Sequence, residues 1–528
     1  MIQKNIMYSP VVLVVIDGWG LSSSPDNPLN QIELPTFDKL NNYYPLVALQ
    51  ASGISVGLPW GEPGNSEVGH MTMGMGKIIY QSFPRISLSI QNGSFDQNPA
   101  LTNAMQEVKD HDGALHIMGL VGDGGVHAAR EHLYALVDLA HKKNVKKLFV
   151  HCFMDGRDSS PTSGIRVIQE IADKLKQIGV GTIASLIGRN WAMDRNNNWD
   201  RVEKAYQMLV HGIGEKTTDP VATIQKSYDN NVTDEFIEPI IITDSAGAPL
   251  ATIKNGDSVI FFNFREDRAR ELTMAFALPG FEKFDRGEKL EINFVTMVEY
   301  EKDLPVNIAF PPENVQNGLG EVISKHGRKQ LRIAETEKYA HVTYFFNGGA
   351  EEAFPGEDRA LIPSPAVDKF DEKPEMSSYE LTDKIIESVD AEKYDFYVIN
   401  YAAPDMVAHT GNEPAAKEAA KATDVCMNKL IKAVLTKGGC LLITADHGNI
   451  EIMRNSHTGE VDTKHNTSPI PLWFVAPDNH RKRTEEEVMR NQTEIRGLMS
   501  DIAPTVLDIM EIRKPEEMQG ESLLPSLQ

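Results

Sequence analysis

The chain has 528 residues, 41% hydrophobic and 24% charged, which is enough for two or more domains with sizeable cores. Its net charge of −23 excludes the broad positive field of a non-specific nucleic-acid binder, and an anionic substrate would need positive groups gathered locally. Three cysteines without CxxC spacing, Cys152, Cys426 and Cys440, exclude a disulfide framework and point to a reducing compartment.

The first apolar run, VVLVVI at 11–16, is too short for a membrane span and reads as a buried strand. Further strands are expected at 147–153, 181–187, 258–264, 292–298, 341–346, 395–401 and 440–445. Helical spacing is expected at 130–143, 164–178, 200–211, 267–277, 378–390 and 414–437. The mixed-charge stretch at 480–491 reads as a solvated helix face. This alternation implies an α/β protein with mainly parallel sheets flanked by helices.

Polar chemistry begins where the apolar runs stop. Asp17 follows the first strand, Asp155, Arg157 and Asp158 the second, and Arg189 the third. Arg265 and Arg268 follow SVIFFNF, Asp405 and His409 follow DFYVINY, and Asp446 and His447 follow CLLITA. In open parallel sheets, ligands bind beyond the carboxyl ends of strands. Acid and histidine pairs lie before about 80 and after about 400, and the arginine-rich ends lie between about 150 and 270. One domain inserted into another is therefore expected, with residues 1–82 and 312–528 forming a metal-binding half and 83–311 the insert.

Asp17, Asp405, His409, Asp446, His447 and His465 mix carboxylate with imidazole, a set that suits Zn²⁺ or Mn²⁺ better than Ca²⁺. Ser66, in GNSEVGH at 64–70, stands at an expected helix start, where unpaired N–H groups favour a phosphorylated hydroxyl. The plainer alternative is that Ser66 only caps that helix. Arg157, Arg189, Arg195, Arg265 and Arg268 would form a pocket for a small anion, or else make structural ion pairs with Asp158, Asp194 or Asp267. His127, in the Gly-rich segment GDGGVH, is a proton carrier, a ligand of the substrate, or a helix-end histidine without duty.

GNSEVGH, VVLVVIDGWG, GDGGVH, MDGRD, AMDRNNNWDRV, NFREDRAR, AETEKYAHVTYFFNGG, NYAAPDMVAHTG, TADHGN and KHNTSP are spread from residue 11 to about 470, nearly the whole chain. They resemble the cofactor-independent (2,3-bisphosphoglycerate-independent) phosphoglycerate mutases, of the alkaline-phosphatase-like superfamily. The resemblance implies interconversion of 3-phosphoglycerate and 2-phosphoglycerate in glycolysis and gluconeogenesis. It implies two Mn²⁺ ions, with other divalent metals possible, and no need for 2,3-bisphosphoglycerate. Ser66 would become a phosphoserine. Asp17, Ser66, Asp446 and His447 would hold one metal, and Asp405, His409 and His465 the other. His127, Arg157, Asp158, Arg189, Arg195, Arg265, Arg268 and Lys338 would bind the substrate. The two domains would close over the intermediate, and a cytoplasmic monomer without nucleic-acid or membrane partners is expected.

A metal-dependent phosphatase or phosphodiesterase of the same superfamily would share the metal set without needing the arginine-rich insert. Phosphopentomutase is a second rival. A metal-binding sensor would have no use for Ser66.

Overall fold

Every residue of Val11–Ile16 is apolar and every one is buried. A strand with no polar face has to be covered on both sides, which makes it central in a sheet. The computed structural model describes residues 8–313, 315–455 and 458–527. In chain order its strands begin with β1 Val11–Ile16, β2 Leu46–Gln50, β3 Leu115–Val121, β4 Leu148–Met154 and β5 Thr182–Gly188. Next are β6 Glu215–Thr217, β7 Ile240–Ile242, β8 Ser258–Phe261, β9 Asn293–Val298, β10 Asn307–Phe310 and β11 Gln330–Glu335. The last are β12 Glu357–Ile362, β13 Phe396–Tyr401, β14 Cys440–Thr444, β15 Ile470–Val475 and β16 Ile495–Leu498.

The chain divides into two compact units, residues 1–81 with 313–528, and residues 82–312. The first unit holds an eight-stranded sheet in the order β12-β11-β13-β1-β14-β15-β2-β16. Its pairs are parallel except β14 with β15 and β15 with β2. β1 lies between β13 and β14, so the chain ends at Asp17, Ala402 and Ala445 emerge side by side. The second unit holds another eight-stranded sheet, β10-β9-β8-β3-β4-β5-β7-β6, with β5 and β7 as its antiparallel pair. Each sheet has its own apolar core.

The flanking helices follow the spacing read from the sequence. Gly164–Ile178 buries Val167, Ile168, Ile171 and Leu175, one stripe at intervals of three and four. Glu413–Thr436 buries Ala416, Ala420, Thr423, Met427, Leu430 and Val434 in the same way. Among the described residues, no helix is long and apolar enough to cross a membrane.

One expected strand is a helical turn. Residues His341–Phe345 form a wide turn in which Phe346 N donates to the His341 carbonyl at 3.1 Å. Val342 and Phe346 are buried, as are Thr343 and Asn347, so burial repeats every four residues rather than every two. Thr343 Oγ1 also donates to the Tyr339 carbonyl at 2.7 Å, a bond available only in helical geometry. A β-branched, aromatic run is ambiguous at this length, and packing decides it.

β11 ends at Glu335, whose side chain is fully buried. Burial lifts its pKa to about 7, although Ser377 N donates to Oε2 at 3.1 Å. The folded pKa lies above the unfolded one, so the folded state binds this proton more tightly. The associated stability is complete below about pH 4 and is lost as pH rises towards 7. Glu335→Gln keeps the acceptor oxygen and removes the charge. We expect it to raise the melting temperature at pH 8 by a few degrees and to leave it unchanged at pH 4. Identical melting curves at pH 8 would show that the carboxylate is solvated after all.

Candidate active site

Asn65 is the N-cap of helix Ser66–Met75, and its Oδ1 accepts from Val68 N at 3.1 Å. Ser66 is therefore relieved of capping and sits at the first helical position with its Oγ turned to other partners. Close packing of glycine sets the helix in place. A Cβ on Gly69 would lie 2.9 Å from the Asp446 carbonyl, and one on Gly64 would lie 2.2 Å from the Ala51 carbonyl. Gly69→Ala is expected to push Ser66 away from the strand ends, with activity down by about tenfold or more and far-UV circular dichroism unchanged. Full activity in that variant would mean the helix has slack the packing does not show.

Ser66 Oγ lies 3.2 Å from Asp17 Oδ1, 3.0 Å from His447 Nε2 and 2.8 Å from Lys338 Nζ. Lys338 Nζ also donates to Asp17 Oδ1 at 2.6 Å and to Asp405 Oδ2 at 2.8 Å. Lys338 thus belongs to the serine's surroundings in the first unit, carried there by the turn Thr336–Lys338 that follows β11. Its charge is strongly retained: burial works against it, but Asp17 and Asp405 raise its pKa further. Burial works against the Asp405 carboxylate, but Lys338, His409, His465 and His447 together hold it well below the usual carboxylate range. Asp17 moves the other way, raised by burial and by the nearby Asp446.

Two groups of ligand-type atoms converge here. Asp17, Asp446 and His447 form one, and Asp405, His409 and His465 the other, each with atoms within 4.8 Å of one another. His409 Nδ1 faces the Thr463 carbonyl at 2.8 Å and His465 Nδ1 faces the Gly64 carbonyl at 2.9 Å. With a proton on each Nδ1, both Nε2 atoms present lone pairs to each other across 3.0 Å. Two facing lone pairs are unfavourable unless a cation lies between them or beside them. Asp446 Oδ2 is buried without a hydrogen-bond partner among the described residues, while its Oδ1 accepts from Gly18 N and His447 N at 3.1 Å. Outer hydrogen bonds that fix the tautomer, with free donor atoms turned inward, are the pattern of a metal site, and these residues fit one.

Supporting residues that sequence reasoning missed are His70, Asn400 and Asn449. Asn400 Nδ2 donates to Asp17 Oδ2 at 2.7 Å and to His70 Nε2 at 3.1 Å, and His70 Nδ1 donates to the Ser66 carbonyl at 2.8 Å. Burial lowers the His70 pKa to about 4, so the ring is neutral. Asn449 Nδ2 donates to Asp405 Oδ1 at 2.7 Å. The available signal was Asn400 itself, a polar residue inside the apolar run FYVINY.

The second unit brings the remaining sequence-derived residues together at the ends of β3, β4, β5 and β8. Arg189 is buried, and its NH1 donates to Asp155 Oδ1 at 2.6 Å and Asp158 Oδ2 at 2.5 Å. Arg195 donates to Asp267 Oδ2 at 2.7 Å, and Arg265 Nε lies 3.1 Å from Asp267 Oδ1. Arg157 pairs with Glu235 at 3.1 Å. Arg268 donates to the Met193 carbonyl at 3.1 Å and has no carboxylate within ion-pair reach among the described residues. His127 stands between the two carboxylates, 3.8 Å from Asp158 and 3.5 Å from Asp267. Burial, reinforced by Arg189, lowers its pKa to about 4. Four of the five arginines have an acidic partner, which is the ion-pair alternative read from the sequence.

Residues 86–302 match the family model described as BPG-independent PGAM N-terminus, and residues 280–508 match the model for type I phosphodiesterase / nucleotide pyrophosphatase. The 2,3-bisphosphoglycerate-independent phosphoglycerate mutase of Moorella thermoacetica is 48% identical over 517 residues, covering 98% of both chains. That of Clostridium perfringens is 49% identical, covering 98% of this chain and 99% of its own. A solved structure of Leishmania mexicana phosphoglycerate mutase, obtained at low cobalt concentration, is similar at 29% identity, 98% coverage of both chains and a TM-score of 0.53. With the serine, the paired ligand groups and the arginine cluster each built into the fold, the chain belongs to the 2,3-bisphosphoglycerate-independent phosphoglycerate mutase family.

Proposed function

We propose that the protein interconverts 3-phosphoglycerate and 2-phosphoglycerate by way of a phosphoserine at Ser66, with two Mn²⁺ ions bound. The observation that carries this reading is the set of three contacts on Ser66 Oγ, from Asp17, His447 and Lys338. A serine that needed only to cap a helix would have no use for a buried lysine. Asp17, Ser66, Asp446 and His447 would hold one ion, and Asp405, His409 and His465 the other. Bound there, the ions would supply Lewis-acid charge to the phosphoryl oxygens and lower the pKa of the serine hydroxyl.

Ser66 Oγ attacks phosphorus in line. The new O–P bond forms as the ester bond to the glycerate oxygen breaks. The Ser66 proton has Asp17 Oδ1 and His447 Nε2 within reach, and Asp158 carries one proton between the two glycerate oxygens, giving it to the departing oxygen and taking it back from the other hydroxyl, so that it ends the cycle as it began. Lys338 holds charge against the phosphoryl group throughout. Arg157, Arg189, Arg195, Arg265 and Arg268, with His127, hold the anionic glycerate so that its other hydroxyl, deprotonated by Asp158, takes the phosphoryl group back. Retaining glycerate rather than admitting water is what separates a mutase from the phosphatase alternative.

An enolase-coupled assay tests this directly. Chelator-stripped protein is expected to be inactive, and added Mn²⁺ to restore 2-phosphoglycerate formation with little free phosphate. Release of phosphate without 2-phosphoglycerate would establish the hydrolase instead. At limiting Mn²⁺, activity is expected to fall steeply from pH 8 to pH 6. His409 holds a proton more tightly than a free imidazole because Asp405 accepts from it, and His465 does so through Asp405 despite burial. Protons therefore displace metal as pH falls. A flat profile over that range would remove the histidines from the ligand set.

A further inference from the structure

Asp155 lies just past β4, buried, and neither oxygen is spare. Its Oδ1 accepts from Asp158 N at 3.1 Å, Arg157 N at 3.3 Å and Arg189 NH1 at 2.6 Å. Its Oδ2 accepts from Ser159 Oγ at 2.7 Å. Ser159 Oγ in turn accepts from Asp123 N at 2.8 Å and Gly124 N at 3.2 Å. One carboxylate therefore joins three segments that come from three strand ends: its own turn, the start of the helical turn at Arg189, and the Gly-rich loop that leads to His127.

The glycines of that loop fit this arrangement. A Cβ on Gly122 would lie 2.6 Å from Ser159 Oγ and 2.8 Å from Asp155 Oδ2, and one on Gly124 would lie 2.4 Å from the Asp158 carbonyl. GDGG is thus shaped to abut the DGRDS turn. The division of labour between the two aspartates follows from exposure. Both accept from Arg189 NH1, but the Asp155 side chain is 3% exposed and the Asp158 side chain 22% exposed. A carboxylate already saturated inside the protein can fix a guanidinium permanently, and its partner is left able to face a substrate.

We infer that Asp155 is a positioning residue for the isomerisation, fixing Arg189 and the two loops of Asp158 and His127 in register. This rests on the reading that the arginine cluster binds phosphoglycerate. Without the Asp155 charge, Arg189 would turn fully onto Asp158 and occupy the carboxylate that meets the glycerate hydroxyl.

The test is a double-mutant cycle on the Mn²⁺-loaded protein, with Asp155→Asn, Arg189→Ala and the pair, read by kcat/KM in both directions and by calorimetric binding of 3-phosphoglycerate. Asp155→Asn keeps an acceptor oxygen for the two backbone N–H groups. It is expected to lower kcat/KM by about 30-fold or more and weaken binding by about tenfold, with far-UV circular dichroism unchanged. The double variant is expected to lose clearly less than the product of the two single losses, because both remove the same Arg189 contact. Additive losses, or an Asp155→Asn variant within twofold of the parent, would overturn the inference. If Asp155→Asn does not fold, Ser159→Ala carries the test. It cuts only the link to the Gly-rich loop, and an expected loss of about fivefold supports the inference whereas unchanged kinetics overturns it. An unsubstituted protein that is itself inactive overturns the proposed function and this inference together, and an active one confines any failure to Asp155.

Discussion

Ser66→Ala is expected to reduce isomerisation by about 10⁴-fold or more while the protein melts within a few degrees of the parent. The two halves of that expectation come from different atoms. Activity is lost because Ser66 Oγ is the proposed acceptor of the phosphoryl group, and among the described residues no other hydroxyl meets Asp17, His447 and Lys338 together. Stability is retained because the cap of the helix is Asn65, whose Oδ1 holds Val68 N at 3.1 Å. Loss of a true serine cap would cost about 1 kcal/mol. The loss of the Oγ removes an acceptor from Lys338, which keeps two carboxylates. Mass spectrometry of acid-quenched protein should show a phosphate on the parent and none on the variant. Residual turnover near the parent's rate would take the phosphoserine step out of the reaction.

Lys338→Met is expected to lower kcat by about 10³-fold and to destabilise the metal-free protein by about 3–5 kcal/mol. The ammonium is buried between Asp17, Asp405 and the Ser66 hydroxyl. Methionine fills similar space but leaves Asp17, Asp405 and Asp446 together in a site that is nearly closed to water. Removing one partner of a buried ion pair is costly because the other charge remains. Divalent metal would offset that repulsion, so the gap in melting temperature between parent and variant should narrow when Mn²⁺ is added. An equal gap with and without metal would show that Lys338 and the metal do not share the same carboxylates.

The sequence was most readable where one physical demand dominated. β1 could only be a covered strand, and Asp17 directly behind it had to find a polar environment. Asp446 and His447 behind β14 made the same argument. Helices such as Gly164–Ile178 announced themselves by a regular apolar stripe. The unread parts depended on partners distant in the chain. HVTYFF has strand-like composition, and only burial of Val342 with Phe346 settled it as a helical turn. Asn65 and Ser66 are both able to cap a helix, so their roles were not separable until Ser66 Oγ met Lys338, 272 residues away. His70 and Asn400 were hidden because a buried polar residue within an apolar run has no visible partner in sequence; theirs are 330 residues apart. Asp155 and Asp267 were visible as acids beside arginines, but not as the groups that fix which way each guanidinium points.

The position of β1 and β2 has a consequence for synthesis. These strands do not pair with one another: β1 pairs with β13 and β14, and β2 with β15 and β16. On the ribosome, Asp17 and Ser66 are made early, yet every strand that pairs with β1 or β2 comes after residue 395. At roughly 5–20 residues per second, β1 waits tens of seconds for its neighbours, while the whole second unit emerges and completes its own sheet. During that interval a wholly apolar strand is without its native partners. Its survival as a nascent chain therefore depends on how quickly it is shielded, a demand that acts on the first sixteen residues and is absent from the finished enzyme.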